Sequence, residues 1–392
     1  MNSSFDYTVK KLGKGKVIQI EPGEAIFKLD SFERNPVVKP QDIGLTWQED
    51  GDLKTGAVFN GGAEVFKNRI VLLPRCHRGY EKKTYFDKKL GIERSRMENY
   101  ISEIWPLISG DGVHFLRFQN LVIRGDGTDH QDFTYGIEDI RIVRCDQTFL
   151  LVGCGKIKPP FKGGNADRIA IYSTDDFLKI TYHGMVGSFD SRNAVPFPES
   201  VIGRYYMLFR FHPNIHLDIL EGGIDQLLNP SQHTNAWEKI YRRRNENLLL
   251  EAGHLPHERE KIGPGPQIIK TNRGWLLIYH AVGDIDINIC RAYGLPGKVE
   301  RGYSICAALL DLNDPRKVLC RTRNPIYIPS APYELGGNDE YPVDVPAVVF
   351  PVGAIVLNGK LLLYCGSGDK YIILLSCSLN DLVDYLCEHC RL

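Results

Sequence analysis

A chain of 392 residues with 48 Lys plus Arg against 48 Asp plus Glu has no net formal charge, so no overall field draws it to nucleic acid or to an anionic membrane surface. Hydrophobic residues at 43%, charged residues at 24%, 38 Gly and 22 Pro exclude a disordered chain and point to a folded, turn-rich one. Residues 1–40 carry no apolar run of signal-peptide or membrane-span length, which predicts a cytoplasmic protein whose ten cysteines stay reduced.

Taken in chain order, five stretches repeat one pattern: an apolar strand, a short polar turn, and a second, strongly apolar strand that ends on a polar residue or glycine. The first runs from Glu64 to Arg75 with its turn at Lys67-Asn68, and the second from Asp139 to Gly155, turning at 145–147. The third, Ser200 to Arg210, turns at Gly203-Arg204, the fourth, Pro266 to His280, at 271–274, and the fifth, Ala354 to Gly366, at 358–360. Each has the composition of a β-hairpin. Further strands follow at 168–172, 303–309 and 372–376. Starts that recur about every 60–90 residues fit four-stranded blades with generous loops. The expectation is an all-β, five-bladed β-propeller forming one domain over residues 1–392. A pair of irregular sandwiches is the competing architecture, but such a recurrence has no role there.

Two inserts break the repeat. Glu81 to Ile108 carries Met97, Tyr100, Ile101 and Ile104 at helical spacing; Ile224 to Lys261 carries Trp237, Ile240, Tyr241 and the run Arg242-Arg243-Arg244. Both are predicted to be partly helical loops between blades, with the arginines on a solvated helix face. The single CxxC, Cys387 to Cys390, has no second pair and no spaced histidine pair, so it is assigned to terminal packing, and no metal is expected. No P-loop, dinucleotide fingerprint or HExxH motif is present, and no cofactor is expected.

The innermost strands of a propeller line its central channel, so polar residues at strand ends can face the axis. Arg75, Arg210 and His280 end such strands, Asp369 follows Gly366-Ser367-Gly368, and Glu138, Asp139 and Arg141 lie on the first strand of the second hairpin. Arginines and a histidine converging on carboxylates from different blades suit an anion together with a hydroxyl-rich ligand.

These residues also carry a family resemblance. Tyr135 to Arg141 is similar to the Gly-Ile/Val-Glu-Asp-Pro-Arg motif of glycoside hydrolase family 130, the mannoside phosphorylases and mannosidases, with Ile140 standing where the family has proline. Lys261 to Pro266 and Gly274 to His280 resemble its K-I-G-x-G-x-P and G-W-L-x-I-Y-H segments, and Val58 to Ala63, Phe197 to Glu199 and Val349 to Gly353 match in family order. The likeness runs from about Asn35 to Tyr385. It implies Asp139 as catalytic acid, Asn60 and Arg75 on the sugar, and a phosphate ring of Arg192, Asn193, Arg210, Lys261 and His280. Glu138, Arg141 and Asp369 are expected to complete the sugar-binding set.

An inverting glycosidase needs two carboxylates, whereas phosphate is already a nucleophile and asks only for one acid and cations that hold it. The expected activity is therefore inverting, reversible phosphorolysis of a β-1,2- or β-1,4-mannoside to α-mannose 1-phosphate. Inorganic phosphate is the co-substrate and an oligosaccharide the partner; self-association is left open. A mannosidase using Glu138, Glu199 or Asp369 as base, a mannosyltransferase-like activity and a non-catalytic carbohydrate-binding propeller remain alternatives.

Overall fold

The computed structural model describes residues 8–22, 24–88, 92–118, 121–124, 132–158 and 167–392. Five antiparallel sheets follow one another along the chain as the blades of a β-propeller. The first is built on Ala57–Phe66 and Arg69–His77, with Glu103–Ile104 and Leu107–Ser109 both pairing onto the latter. The second runs Ile137–Cys145, Thr148–Lys156, Asp167–Thr174, Thr181–Val186. The third runs Arg192–Pro196, Tyr205–Phe211, Asn214–Leu220, Leu248–Leu250, and the fourth Lys261–Pro264, Trp275–Ile285, Val299–Leu310, Val318–Arg321. The strands are rich in Val, Ile, Leu and Phe, because each sheet is covered on both faces.

The ring closes by borrowing. The fifth sheet holds Val349–Leu357, Lys360–Ser367 and Tyr371–Ser378, and its outermost strand is Asp30–Ser31, paired with Ser376 and Leu375. An N-terminal segment thus covers the edge of the C-terminal blade, which would otherwise present unpaired backbone groups. Asn35 extends the seam: its amide accepts from Leu374 N–H at 2.8 Å and donates to Leu374 C=O at 2.9 Å.

At the hub, adjacent inner strands approach too closely for side chains. A Cβ on Gly62 would stand 2.6 Å from the Ile140 carbonyl oxygen, and one on Gly353 2.7 Å from that of Gly61. The inner strands are edge strands, so they tolerate proline at Pro196, Pro264 and Pro351.

Two expectations need correction. The first strand of the third hairpin is Arg192–Pro196 rather than a strand at Ser200; 197–204 form a loop with only a Val201–Arg204 bridge. Pro196 and Pro198 obscured it, since proline is a strand breaker everywhere except at an edge. The insert at 81–108 is not helical: Glu81–Asp87 and Ile92–Glu98 form a hairpin, residues 89–91 lying outside the described ones. Cross-strand charge pairing such as Lys83–Glu98 at 2.5 Å suits that hairpin. Ile101 is 43% exposed while Tyr100 and Ile104 are buried, so the helical spacing was no helix face.

The second insert does contain helices, Asp225–Leu228 and Thr234–Arg242, with Trp237 and Ile240 buried. Cys387 and Cys390 are buried, Cys387 within the C-terminal helix Leu379–His389 and Cys390 at its end, and all ten cysteines are free. Among the described residues no helix is long and apolar enough to cross a membrane.

Candidate active site

Three of the inner strands carry the same irregularity. The ladder slips between Phe59 and Gly62, between Glu138 and Arg141, and between Arg192 and Val195. In each bulge one residue takes a left-handed backbone: Asn60 at φ 52°, Asp139 at 53° and Asn193 at 55°. Asn and Asp tolerate that conformation better than other side-chain-bearing residues. A bulge breaks strict in–out alternation and re-aims a side chain, and here it puts an amide, a carboxylate and a second amide on one cavity from adjacent blades.

That cavity has a volume of about 130 Å³. Asn60, Arg75, Asp139, Arg192, Asn193, Arg210, Lys261 and Asp369 line it, all of them expected from the sequence, and Tyr303, Val345, Val348 and Phe350 complete it. Asp139 accepts from Asn60 Nδ2 at 3.0 Å; Arg75 Nη1 lies 3.4 Å from its Oδ1 and Arg192 Nη2 3.6 Å from its Oδ2.

Glu138, Arg141 and His280 stand behind the cavity wall instead of lining it. Glu138 accepts from Tyr100 Oη at 2.9 Å and is ion-paired with Arg192 and, at 3.4 Å, with Arg75. Burial alone would raise its pKa, but Arg75 and then Arg192 outweigh it and hold the carboxyl well below the usual range. Such a carboxylate is a poor base and a good clamp for two arginines. Arg141 spends its donors on the carbonyls of Asp139 (2.7 Å), Gly265 (3.0 Å) and Pro264 (3.2 Å). With its amide oxygen turned toward Arg141, Asn193 accepts from Nη1 at 3.0 Å and Nη2 at 2.8 Å. Direct sugar contact expected of Glu138 and Arg141 is therefore replaced by support of Arg75, Arg192 and Asn193. Glu199 is half exposed and paired with Lys270, outside the cavity.

The cations divide into two kinds. Arg75 and Arg192 are matched by Glu138 and Asp139. Arg210 and Lys261 meet no carboxylate within ion-pair distance among the described residues, and the buried Nε of Arg210 has no partner. Burial, then the neighbouring Arg192, depresses the Arg210 pKa. His280 is fully buried with neither ring nitrogen partnered among the described residues, and burial followed by Arg210 and Lys261 holds it neutral. Its ring lies 4.3 Å from that of Phe350. Two half-buried cations, Arg210 and Lys261, without counter-charges among the described residues are the electrostatic complement of an anion.

At Asp369, burial pushes the carboxyl up to about 6, opposed by Arg75 and reinforced by Asp139 and Asp344. Sequence reasoning missed Tyr303 and Phe350. Tyr303 could have been found from sheet register, since Lys261, Val282 and Tyr303 lie side by side across three strands and Lys261 Nζ sits 5.1 Å from the Tyr303 ring centre.

A profile of glycoside hydrolase family 130, described as β-1,4-mannooligosaccharide phosphorylase, matches residues 24–388. A 1,2-β-oligomannan phosphorylase of Thermoanaerobacter sp. (strain X514) is 27% identical over 354 residues, 88% of this chain and 96% of that protein. A β-1,2-mannobiose phosphorylase of Listeria innocua is 28% identical over 376 residues, 86% of this chain and 92% of that protein. The fold is also that of the Listeria innocua β-1,2-mannobiose phosphorylase solved with β-1,2-mannobiose, at a TM-score of 0.64 and 22% identity, covering 91% of this chain and 99% of that one. With the family profile spanning nearly the whole propeller, the chain belongs to glycoside hydrolase family 130.

Proposed function

We propose that this chain phosphorolyses a β-mannoside, with phosphate attacking the anomeric carbon to form α-mannose 1-phosphate as the acceptor sugar leaves. One observation carries the reading: Asp139 shares its cavity with Arg210 and Lys261, two cations that meet no carboxylate within ion-pair distance among the described residues. A water-using glycosidase has no need of such cations, whereas a phosphate dianion fills that position. The family profile and the relatives named for phosphorolysis support it.

In this mechanism Asn60, Arg75 and Asp369 hold the mannosyl unit, while Arg192, Asn193, Arg210 and Lys261 hold phosphate on the opposite face. His280 backs Arg210 and Lys261 as a neutral ring rather than a further cation. A phosphate oxygen forms the new bond to the anomeric carbon as the bond to the glycosidic oxygen breaks. Asp139 supplies the proton taken by that oxygen, by way of a sugar hydroxyl as the family resemblance implies, and the proton carried by phosphate restores the carboxyl. Attack opposite the leaving group converts a β-linkage into an α-phosphate. Positioning and preorganised charge supply most of the rate enhancement.

The test is incubation of the purified protein with β-1,2- and with β-1,4-mannobiose, with and without phosphate, followed by phosphorus and proton NMR. α-Mannose 1-phosphate formed only with phosphate supports the reading and names the linkage. Mannose released at the same rate without phosphate overturns it and leaves Asp369 as the carboxylate placed to activate water.

A further inference from the structure

The run Arg242-Arg243-Arg244 is not one solvated surface. Arg242 pairs with Glu238 at 2.6 Å, and Arg243 with Asp218 at 2.7 Å and Glu221 at 3.2 Å. Arg244 meets no carboxylate within ion-pair distance among the described residues. Its guanidinium lies 4.3 Å from the Tyr241 ring centre and donates to the Tyr241 carbonyl at 2.9 Å. Tyr241 is itself fixed: its ring is parallel to that of Phe189 at 5.4 Å and edge-on to Phe211 at 5.4 Å.

Arg244 and Tyr241 border an outer cavity of about 410 Å³, which also touches Arg192 and Arg210, the same two arginines that line the central cavity. Asp167 and Asp190 border it too, but Asp167 is held by Lys156 and Arg192, and Asp190 by Arg168. His212 is kept neutral by burial and then by Arg210 and Lys261. Among the described residues, the cations around this space without a counter-charge are Arg210 and Arg244.

We propose that the outer cavity is a second anion site, a vestibule that holds inorganic phosphate on Arg244 and passes it to the attack position past Arg192 and Arg210. The proposal rests on the phosphorolytic reading above. A mannoside seated against Asn60 and Asp139 covers the central cavity, and the vestibule offers phosphate the same two guanidinium groups from another side. Sugar and anion then approach by separate routes, and either can bind first.

The experiment compares the full-length protein with Arg244→Ala, Arg244→Glu and, as a charge control outside both cavities, Arg242→Glu, after circular dichroism and melting confirm that each is folded. Two quantities are read: the KM for phosphate against the KM for mannobiose, and the affinity for inorganic phosphate by calorimetry without sugar. Loss of one nearby cation should weaken phosphate about fivefold in both, and charge reversal more, with the effect shrinking at high salt. The KM for mannobiose should stay within about twofold, and Arg242→Glu should move neither quantity. Equal effects of Arg242→Glu and Arg244→Glu would reduce the vestibule to a general field and overturn it. A change confined to the KM for mannobiose would make the space a sugar subsite and overturn it as well. If the wild-type protein turns over without phosphate, the phosphorolytic reading falls separately; the titration still decides whether Arg244 holds an anion, unchanged affinity being the negative result.

Discussion

Asn60 and Asp139 are 79 residues apart in the chain, yet they occupy the same left-handed bulge position in adjacent blades, and the amide of one donates to the carboxylate of the other at 3.0 Å. The repeat therefore places chemistry as well as strands. Asn60 Oδ1 is buried against Gly366, where only a residue without a Cβ fits, and it has no hydrogen-bond partner among the described residues, so the amide is fixed by packing at one end and by Asp139 at the other.

If Asp139 is the acid, Asp139→Asn keeps the shape of the bulge and removes the proton. Turnover of mannobiose with phosphate should fall on the order of a hundredfold or more. Phosphate affinity, measured by calorimetry, should not weaken. A variant turning over within about threefold of the wild type would remove Asp139 from the mechanism.

The bulge itself can be separated from the side chain it carries. At Asn193, with φ 55°, glycine relieves the backbone whereas alanine keeps the strain and loses the amide that meets Arg141. Asn193→Gly and Asn193→Ala should both bind phosphate less well, but Asn193→Ala should be the less stable by about 1 kcal/mol in urea unfolding. Equal stability of the two would mean that the left-handed conformation is not what the sequence is accommodating there.

Arg210→Ala and Lys261→Ala remove the two unneutralised cations of the central cavity. Each should raise the KM for phosphate tenfold or more, the loss of a charge-assisted contact. Because neither cation meets a carboxylate among the described residues, their removal should leave thermal stability equal to or above that of the wild type. A large drop in melting temperature with phosphate dependence unchanged would reassign them to the scaffold.

Much of this was legible because hairpins are local. Apolar runs broken by Asn68, Asp146 and Gly359 fix a turn and two strands with no reference to the rest of the chain. The polar strand ends Arg75 and Arg210 likewise pointed to the axis without a structure. What escaped depends on distant pairing. Asp30–Ser31 is a strand only because Leu375 and Ser376 pair with it. The bulges escaped too, since an extra residue such as Ile140 or Ala194 leaves no compositional trace. That is why Glu138 was expected on the sugar beside the acid Asp139, although the bulge leaves Asp139 facing the cavity and Glu138 behind it.

The ring closure is a test of fold rather than of site. Asn35→Ala removes the acceptor for the buried Leu374 N–H, and it should cost about 2 kcal/mol in urea unfolding. Asn35→Asp keeps that acceptor and loses the donor to Leu374 C=O, which Phe32 N–H also serves at 3.0 Å. The aspartate variant also buries a carboxylate with one oxygen facing that carbonyl, so it should be no more stable than alanine, and an alanine variant of full stability would show that the seam does not hold the blades together.

Asp369 gives a pH signature that a permanently charged carboxylate would not. With its pKa pushed by burial to about 6, the folded protein binds a proton that the unfolded chain has already released, over the window from about pH 4 to 6. Stability therefore falls as pH rises through that window, because the slope follows protons bound unfolded minus protons bound folded, which is negative there. A shift of about two units corresponds to as much as about 3 kcal/mol. Asp369→Asn removes the titration, so its stability relative to wild type should grow between pH 4 and 6 and then level off, as read from urea unfolding across that range. A wild-type-minus-variant difference flat from pH 4 to 7 would show that Asp369 is ionised throughout, with Arg75 neutralising it in the folded state. The variant should also lose mannoside affinity more than phosphate affinity, since the charges acting on Asp369 are Arg75 and Asp139 rather than Arg210 and Lys261; an equal loss of both would place it on the anion instead.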